Sequence, residues 1–106
     1  MKNLDLSGSF VALVTPFKNG KIDESAIKRL VEYHARLGTR GIVPCGTTGE
    51  SPTLSHEEHE HVVDVVVQAV RGRMFVLAGT GSNNTAEAIC LTKSAVKAGA
   101  DGCLLI

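Results

Sequence analysis

The feature that most constrains the fold is a repeat of about 30 residues in which a short apolar run precedes an amphipathic helical pattern. The apolar runs are continuous rather than alternating, which is typical of strands buried on both faces of a sheet. Two helical patterns end in the same motif, apolar-Gly-x-x-Gly-apolar, at 37–42 and 98–103. Gly38 and Gly99 in these motifs suit the left-handed position that ends a helix before a strand. The apolar runs lie at 10–14, 42–43, 75–78 and 103–106.

Polar side chains mark where three helices are expected to begin. Asp23 is a candidate N-cap of the first helix. Ser55 and Glu58 have the spacing of a capping box, which predicts that the second helix begins near residue 55. Asn84 and Glu87 repeat that spacing before the third helix. The predicted inner faces are Ile27, Leu30, Val31, His34 and Leu37, then His59, Val63, Val66 and Val70, then Ala88, Leu91 and Ala95.

The resulting order, β-α-β-α-β-α-β, predicts a parallel sheet with right-handed crossovers. Two α/β architectures fit this order, an open doubly wound sheet and part of a (β/α)8 barrel. A complete barrel needs about 250 residues, whereas this chain has 106 and stops inside an apolar run. We therefore expect a fragment of a larger domain, with a genuine small domain as the alternative.

Composition argues against several classes of partner. Lys plus Arg and Asp plus Glu both number 11, and this zero net charge predicts no binding to nucleic acid or to anionic membranes. No apolar run approaches the roughly 20 residues of a membrane span. The N-terminal MKNLDLSGSF lacks the apolar stretch of a secretory signal. Three cysteines in unrelated contexts, Cys45, Cys90 and Cys103, favour reduced thiols in a cytoplasmic protein.

The stretch 47–61, TTGESPTLSHEEHEH, contains three histidines and four glutamates. A metalloprotease helix places its two histidines at i and i+4, but His56 and His59 are at i and i+3. We therefore expect no metal site here. The favoured interpretation is a solvated first turn of a helix, where acidic side chains interact well with the helix dipole.

The loop Gly46-Thr47-Thr48-Gly49-Glu50-Ser51 follows a predicted strand. It lacks the Gly-Lys-Ser/Thr ending of a P-loop and the third glycine of a dinucleotide fingerprint. It does supply hydroxyl and backbone N–H groups at the C-terminal end of a strand, where both candidate folds bind ligands. A small anion such as a carboxylate suits this loop, and an ordinary turn capped by threonines is an equally open interpretation.

The sequence contains five distinctive motifs: ALVTPF (12–17), CGTTGES (45–51), TLSHEEH (53–59), AGTGSNNTAEAI (78–89) and KAGADG (97–102). They resemble those of the dihydrodipicolinate synthases, within the pyruvate-dependent Schiff-base aldolase family that includes N-acetylneuraminate lyase and 2-keto-3-deoxygluconate aldolase. GxTGE loops occur across that family, whereas the double threonine with TLSHEEH and AGTGSN favours the synthases. The resemblance implies that residues 1–106 are the N-terminal part of a single (β/α)8 TIM barrel, truncated in strand 4.

The resemblance implies a lyase that condenses pyruvate with L-aspartate semialdehyde through a lysine Schiff base, in lysine and diaminopimelate biosynthesis. It implies no cofactor and a homotetramer when full length. Thr48, with Gly46, Gly49 and nearby N–H groups, would bind the pyruvate carboxylate, and Thr47 would join a hydroxyl relay with two tyrosines. The Schiff-base lysine has no counterpart here, since no lysine stands at the end of a predicted strand in a matching motif. The relay tyrosines have none either, since the one tyrosine, Tyr33, lies within a predicted helix.

Some of these synthases are inhibited by lysine, which binds at a subunit interface. The resemblance implies that Glu87 would pair with the ammonium group of lysine and that Asn83 would hydrogen-bond its carboxylate. Glu87 is also the predicted capping-box residue, so a purely structural role stays open. The positions that match the effector site are Ser51, His56, His59, Asn83 and Glu87.

Other functions also stay open on the sequence. The nearest is another pyruvate-dependent aldolase of the family, acting on a sugar acid. From a different class comes a small anion-binding module that uses Gly46 to Glu50. The third is an inactive half barrel that serves only in assembly.

Overall fold

The structure, a computed structural model, describes residues 3–106. Met1 and Lys2, the first residues of the segment for which no secretory signal is predicted, lie outside this range. Within the range, four strands form a parallel sheet and two form a hairpin. No helix of the described chain is long and apolar enough to cross a membrane. In chain order the elements are β1 (Phe10–Ala12), β2 (Phe17–Lys18), β3 (Lys21–Ile22), α1 (Glu24–Arg36), β4 (Gly41–Val43), a 3₁₀ turn (Ser51–Thr53), α2 (His56–Val70), β5 (Phe75–Gly79), α3 (Thr85–Ala98) and β6 (Gly102–Leu104).

The sheet confirms the predicted parallel α/β fold and favours a barrel over an open sheet. Its order, β1-β4-β5-β6, is the order of these strands in the chain. A doubly wound sheet reverses its order at a switch point and carries helices on both faces. Here the described strands show no reversal, and α1 packs on α2 and α2 on α3 in one layer. The register places Val11 beside Ile42, Ile42 beside Val76 and Leu77 beside Gly102.

The hydrophobic core lies between the helical layer and the sheet, and α2 contributes most to it. All four predicted inner-face residues of α2 are buried. Ile27 and Val31 of α1 and Ala95 of α3 belong to the same buried cluster. Burying one such aliphatic side chain stabilises the fold by roughly 1.5–3 kcal/mol. The prediction for Leu37 is wrong: it is 64% exposed, because α1 ends at Arg36 and Leu37 is only its C-cap.

The predicted starts of α1 and α2 are confirmed, and so are the glycines predicted to end α1 and α3. Asp23 Oδ1 accepts a hydrogen bond at 3.0 Å from the backbone N–H three residues on. Ser55 Oγ accepts from the Glu58 N–H at 3.1 Å, and Glu58 Oε1 accepts from the Ser55 N–H at 2.8 Å, which completes the capping box. Gly38 and Gly99 have φ of +78° and +100°, the left-handed conformation that glycine adopts without strain.

The capping box predicted for α3 is only half formed. Asn84 Oδ1 accepts from the Glu87 N–H at 3.2 Å, as expected of an N-cap. The Glu87 carboxylate does not return to Asn84, because it accepts from the Ser82 hydroxyl at 2.9 Å instead. Ser82 Oγ in turn accepts from the Asn84 N–H at 3.0 Å. Ser82 thus takes the place of Glu87 in the cap and leaves that carboxylate facing away from the helix end.

The first strand is shorter than predicted and leads into a hairpin that the sequence analysis missed. The run 10–14 forms a strand only over Phe10–Ala12, and Val14 is exposed. The chain then turns through β2 and β3, where Asn19 and Gly20 both have positive φ, of 54° and 77°. An Asn-Gly pair with this geometry is the signal of a type I′ hairpin turn. The hairpin lies at the C-terminal end of β1.

The Ser55 cap yields a prediction about stability. Ser55→Ala leaves the first-turn N–H of Glu58 without its side-chain acceptor, so we expect the free energy of unfolding to fall by about 1 kcal/mol. Urea unfolding followed by circular dichroism measures this. Ser25→Ala is the control, since Ser25 lies exposed in α1 and only accepts from Arg29, and its effect should stay below about 0.5 kcal/mol. Equal losses in the two variants would contradict the prediction.

Candidate functional site

A cleft of about 580 Å³ opens at the C-terminal ends of β4 and β5. One wall comes from the segment that follows β4, here named the β4 loop and defined as Gly46–Gly49, of which Gly46 and Thr47 line the cleft. The opposite wall is the segment between β5 and α3, and the first turns of α2 and α3 close the sides. A parallel α/β fold binds ligands at this end of its strands. The cleft is therefore the candidate site.

The β4 loop is a compact turn within this cleft. The Glu50 N–H donates to the Thr47 carbonyl at 2.9 Å, and the Ser51 N–H donates to the Gly46 carbonyl at 3.2 Å. Gly46 and Thr47 line the cleft, and the Thr47 side chain is exposed. Of the other predicted carboxylate-binding residues, Thr48 is exposed at the tip of the turn and Gly49 is buried beneath it.

Thr15 holds the base of the β4 loop, a role that was not predicted from the sequence. Its hydroxyl donates to the Gly49 carbonyl at 2.7 Å, and the contact is buried. Thr15 belongs to the ALVTPF motif, but no local pattern relates it to a residue 34 positions away. The one sequence signal was its position directly after the apolar run 10–14, where a predicted strand ends.

Gly79 brings the ends of β4 and β5 into direct backbone contact. Its N–H donates to the Pro44 carbonyl at 2.8 Å. A Cβ at this position would overlap the Cys45 carbonyl. Only glycine permits so close an approach of two backbones, and this contact forms the floor of the cleft.

His59 fastens α2 to that floor. It is 3% exposed, and its Nε2 lies 2.7 Å from the Gly79 carbonyl oxygen. Because a carbonyl only accepts hydrogen bonds, Nε2 carries the proton of this contact. The Nδ1 atom is buried without a hydrogen-bond partner among the described residues. The Cys45 thiol donates to the His59 carbonyl at a long 3.8 Å. Within the predicted effector set, His59 is thus held inside the fold.

His56, Ser82 and Glu87 form a polar cluster at the rim of the cleft. His56 Nε2 lies 3.3 Å from Glu87 Oε2, and the Ser82 hydroxyl donates to Glu87 Oε1 at 2.9 Å. The hydrogen bond from Ser82, followed by that from His56, lowers the pKa of the Glu87 carboxyl. Both partners of the His56–Glu87 pair are substantially exposed, so the pair itself adds little stability. The cluster presents an ionised carboxylate to the cleft.

The structure brings the whole predicted effector set to the same cleft as the β4 loop. Ser51 is half-buried in the 3₁₀ turn, and Asn83 is exposed just before α3. Cys45 also lines the cleft, but burial raises the pKa of its thiol to about 12, so it is a packing residue and not a nucleophile. Within residues 3–106 no three His, Cys, Asp or Glu side chains are grouped as metal ligands.

The fold and the cleft define a segment of a (β/α) barrel with a candidate ligand site at the C-terminal ends of its strands. The chain belongs to the dihydrodipicolinate synthetase family, whose model matches residues 5–106. It is 62% identical over 99 residues to the 4-hydroxy-tetrahydrodipicolinate synthase of Syntrophus aciditrophicus, which covers 93% of this chain and 34% of the relative. This membership confirms the resemblance drawn from the five motifs.

Solved structures agree with the family assignment. The dihydrodipicolinate synthase of Aquifex aeolicus superposes with a TM-score of 0.91 at 54% identity, over 92% of this chain and 33% of that one. The synthase of Acinetobacter baumannii in complex with pyruvate superposes with a TM-score of 0.92 at 48% identity, over 95% of this chain and 35% of that one. Both confirm the TIM-barrel class, and the chain spans about a third of the length of the relatives it matches.

The buried position of His59 yields a prediction that separates a structural role from ligand binding. His59→Phe removes the donor to Gly79 and leaves a buried carbonyl unsatisfied, so we expect a loss of about 1–3 kcal/mol in unfolding free energy. His61→Phe is the matched control, because His61 is exposed on the same helix and only approaches Glu24 at 3.7 Å. Urea unfolding compares the two variants, and equal stabilities would refute the anchoring role.

Proposed function

We propose that the protein containing this chain condenses pyruvate with L-aspartate semialdehyde through a lysine Schiff base, in lysine and diaminopimelate biosynthesis. The observation that carries the proposal is the placement of the β4 loop at the mouth of the cleft, in a chain of the dihydrodipicolinate synthetase family. The pyruvate bound by the Acinetobacter baumannii relative supports the same substrate here. We place the reaction in the cytoplasm, in keeping with three free cysteines.

In this proposal the β4 loop binds the pyruvate carboxylate. The Glu50 and Ser51 N–H groups are already bonded inside the turn. The Thr47 and Thr48 N–H groups have no backbone partner among residues 3–106, and in this proposal they bind the ligand. Thr48 adds its exposed hydroxyl, and Gly46 allows the backbone to approach the anion. Gly49 supports the loop from beneath, where its backbone packs against Cys45 and Leu13. Several N–H donors directed at one carboxylate give the charge-assisted hydrogen bonds that bind such groups strongly.

Thr47 has a different part in the proposed mechanism. A lysine amine attacks the pyruvate carbonyl and water leaves; loss of a methyl proton then gives an enamine that attacks the aldehyde. Thr47 lies at the mouth of the cleft with its hydroxyl exposed, and we propose that it relays protons in these steps. The proposal requires the Schiff-base lysine and two relay tyrosines from the rest of the barrel, and a homotetramer as the assembled form.

The reaction and its aldehyde are tested together on the full-length enzyme. Borohydride reduction in the presence of pyruvate should trap one covalent adduct per subunit, on a lysine outside residues 1–106 as located by peptide mass spectrometry. Turnover should be fastest with aspartate semialdehyde. Faster turnover with N-acetylmannosamine or with glyceraldehyde would favour the sugar-acid aldolases of the family, and pyruvate binding without an adduct would favour an anion-binding module.

We propose further that the cleft binds lysine as an inhibitor. The ionised Glu87 carboxylate, held by Ser82 and His56, would accept from the effector's ammonium group, and Asn83 would bind its carboxylate. Ser51 lines the same cleft. His59, which is committed to Gly79, would contribute by fixing the start of α2 and not by direct contact.

Lysine inhibition of the full-length enzyme tests the effector site. Glu87→Gln removes the charge that pairs with the ammonium group, so we expect the lysine concentration for half inhibition to rise at least about tenfold. Glu57→Gln is the control, since Glu57 also lies in a first helical turn but lines a separate groove, and its inhibition should match the wild type. Full wild-type activity in saturating lysine would rule out the regulatory role.

A further inference from the structure

The β4 loop is bounded by two residues in an unfavourable backbone conformation. Cys45 before it and Glu50 after it have φ of +59° and +60°, and neither is a glycine. A side-chain-bearing residue in this region costs on the order of 1–3 kcal/mol and persists only where surrounding contacts enforce it. The loop conformation therefore depends on contacts from outside its own sequence.

On the Cys45 side the enforcing contact is backbone packing. Gly79 donates to Pro44 at 2.8 Å and lies against the Cys45 carbonyl. This packing fixes the point where the chain leaves β4. Gly79 is not in contact with the second half of the β4 loop, Thr48 and Gly49, in these hydrogen bonds and close approaches.

On the Glu50 side Thr53 donates two local hydrogen bonds to the Glu50 carbonyl, from its N–H at 2.9 Å and its hydroxyl at 2.8 Å. The contact that ties this side of the loop to the sheet is the Thr15 hydroxyl. It donates to the Gly49 carbonyl at 2.7 Å, a full-strength O–H···O geometry. Thr15 is 4% exposed, so water cannot replace it as the donor. The end of β1 is itself anchored, since the Leu13 N–H donates to the Val43 carbonyl at 3.0 Å. The loop is thus tied to the sheet from both sides.

Gly49 has little freedom to move away from this tether. A Cβ there would lie 3.0 Å from the Cys45 nitrogen and 3.1 Å from the Leu13 carbonyl oxygen, so the backbone is already packed on two sides. Loss of the Thr15 hydroxyl would leave the Gly49 carbonyl buried without its donor. The cheapest relief for a buried carbonyl is to turn towards solvent, which would rotate the Gly49–Glu50 peptide and break the bond from the Glu50 N–H to the Thr47 carbonyl that closes the turn.

We propose that Thr15 is a positioning residue that holds the β4 loop in the conformation that presents its N–H groups to a carboxylate. The inference rests on the proposed function for the identity of that carboxylate, pyruvate. Thr15 acts through Gly49 and not by contact with the substrate. Loss of the Thr15 hydroxyl should weaken pyruvate binding selectively. The N–H groups of the β4 loop would no longer point towards one carboxylate, although every chemical group of the site would still be present.

Three variants of the full-length enzyme test this role. Thr15→Val keeps the shape and removes the donor, and Thr15→Ser keeps the donor. Thr39→Val is the matched control: its hydroxyl lies 3.2 Å from His34 Nδ1, in the connection that enters β4 at the opposite edge of the sheet. Two experiments are made on each variant. Steady-state kinetics give kcat and the KM values for pyruvate and for the aldehyde, and hydrogen–deuterium exchange follows segment 46–50 without ligand.

The expected result is specific to Thr15→Val. Its KM for pyruvate should rise roughly five- to tenfold, with a smaller change in the aldehyde KM and in kcat, and segment 46–50 should exchange faster. Thr15→Ser and Thr39→Val should match the wild type in both measurements. A general loss of stability would instead lower the melting temperature in both valine variants without a selective effect on pyruvate.

The negative outcomes are distinguishable. Unchanged pyruvate KM and unchanged exchange in Thr15→Val, in an enzyme that turns over pyruvate, would overturn this inference and leave the proposed function intact. A wild-type enzyme without pyruvate turnover would overturn the proposed function, and the pyruvate role of Thr15 with it. If Thr15→Val does not fold, Thr15→Ala carries the same comparison, because it removes the donor without burying an additional apolar group.

Discussion

The backbone contact between Gly79 and Cys45 is the constraint on which the rest of the site depends. Gly79 donates to the Pro44 carbonyl and accepts from His59 Nε2, so one residue without a side chain joins β4, β5 and α2. Any Cβ there would overlap the Cys45 carbonyl and push the two strands apart. Because the β4 loop starts at this crossing and α2 begins beside it, both walls of the cleft take their positions from it.

Polar groups around the cleft divide into two sets according to burial. Those inside the fold, such as Thr15, Thr80 and His59, bond to partners in the protein: Thr80 accepts from the Thr92 hydroxyl at 2.9 Å, and its N–H donates to the Leu104 carbonyl. Those at the mouth, such as Thr47 and Asn83, are exposed. A buried network in which nearly every group is paired rigidifies its surroundings. The inner set therefore acts as the scaffold for the outer one.

Local interactions were predictable from the sequence, and those that depend on distant residues were not. The Ser55–Glu58 box formed as expected because both partners lie within one turn. The same spacing failed for Glu87, because Ser82 and His56, from outside that turn, compete for its carboxylate. Apolar periodicity predicted the sheet and the buried face of α2. It could not show that His59 Nε2 would donate a hydrogen bond to the Gly79 carbonyl, 20 residues away. The Asn19-Gly20 pair is a local signal of a hairpin turn, and the hairpin could have been predicted from it.

The charges of the cleft explain why its geometry has to be rigid. No lysine or arginine of the described chain lines it, and its ionised group is the Glu87 carboxylate. An anion at the β4 loop would therefore gain no attraction from a fixed positive side chain in this segment. Its binding would rest on N–H and O–H donors, whose strength falls steeply with misalignment. Donors fixed in advance need no reorganisation when the ligand arrives, and the two anchors of the loop, Gly79 on one side and Thr15 on the other, provide that preorganisation.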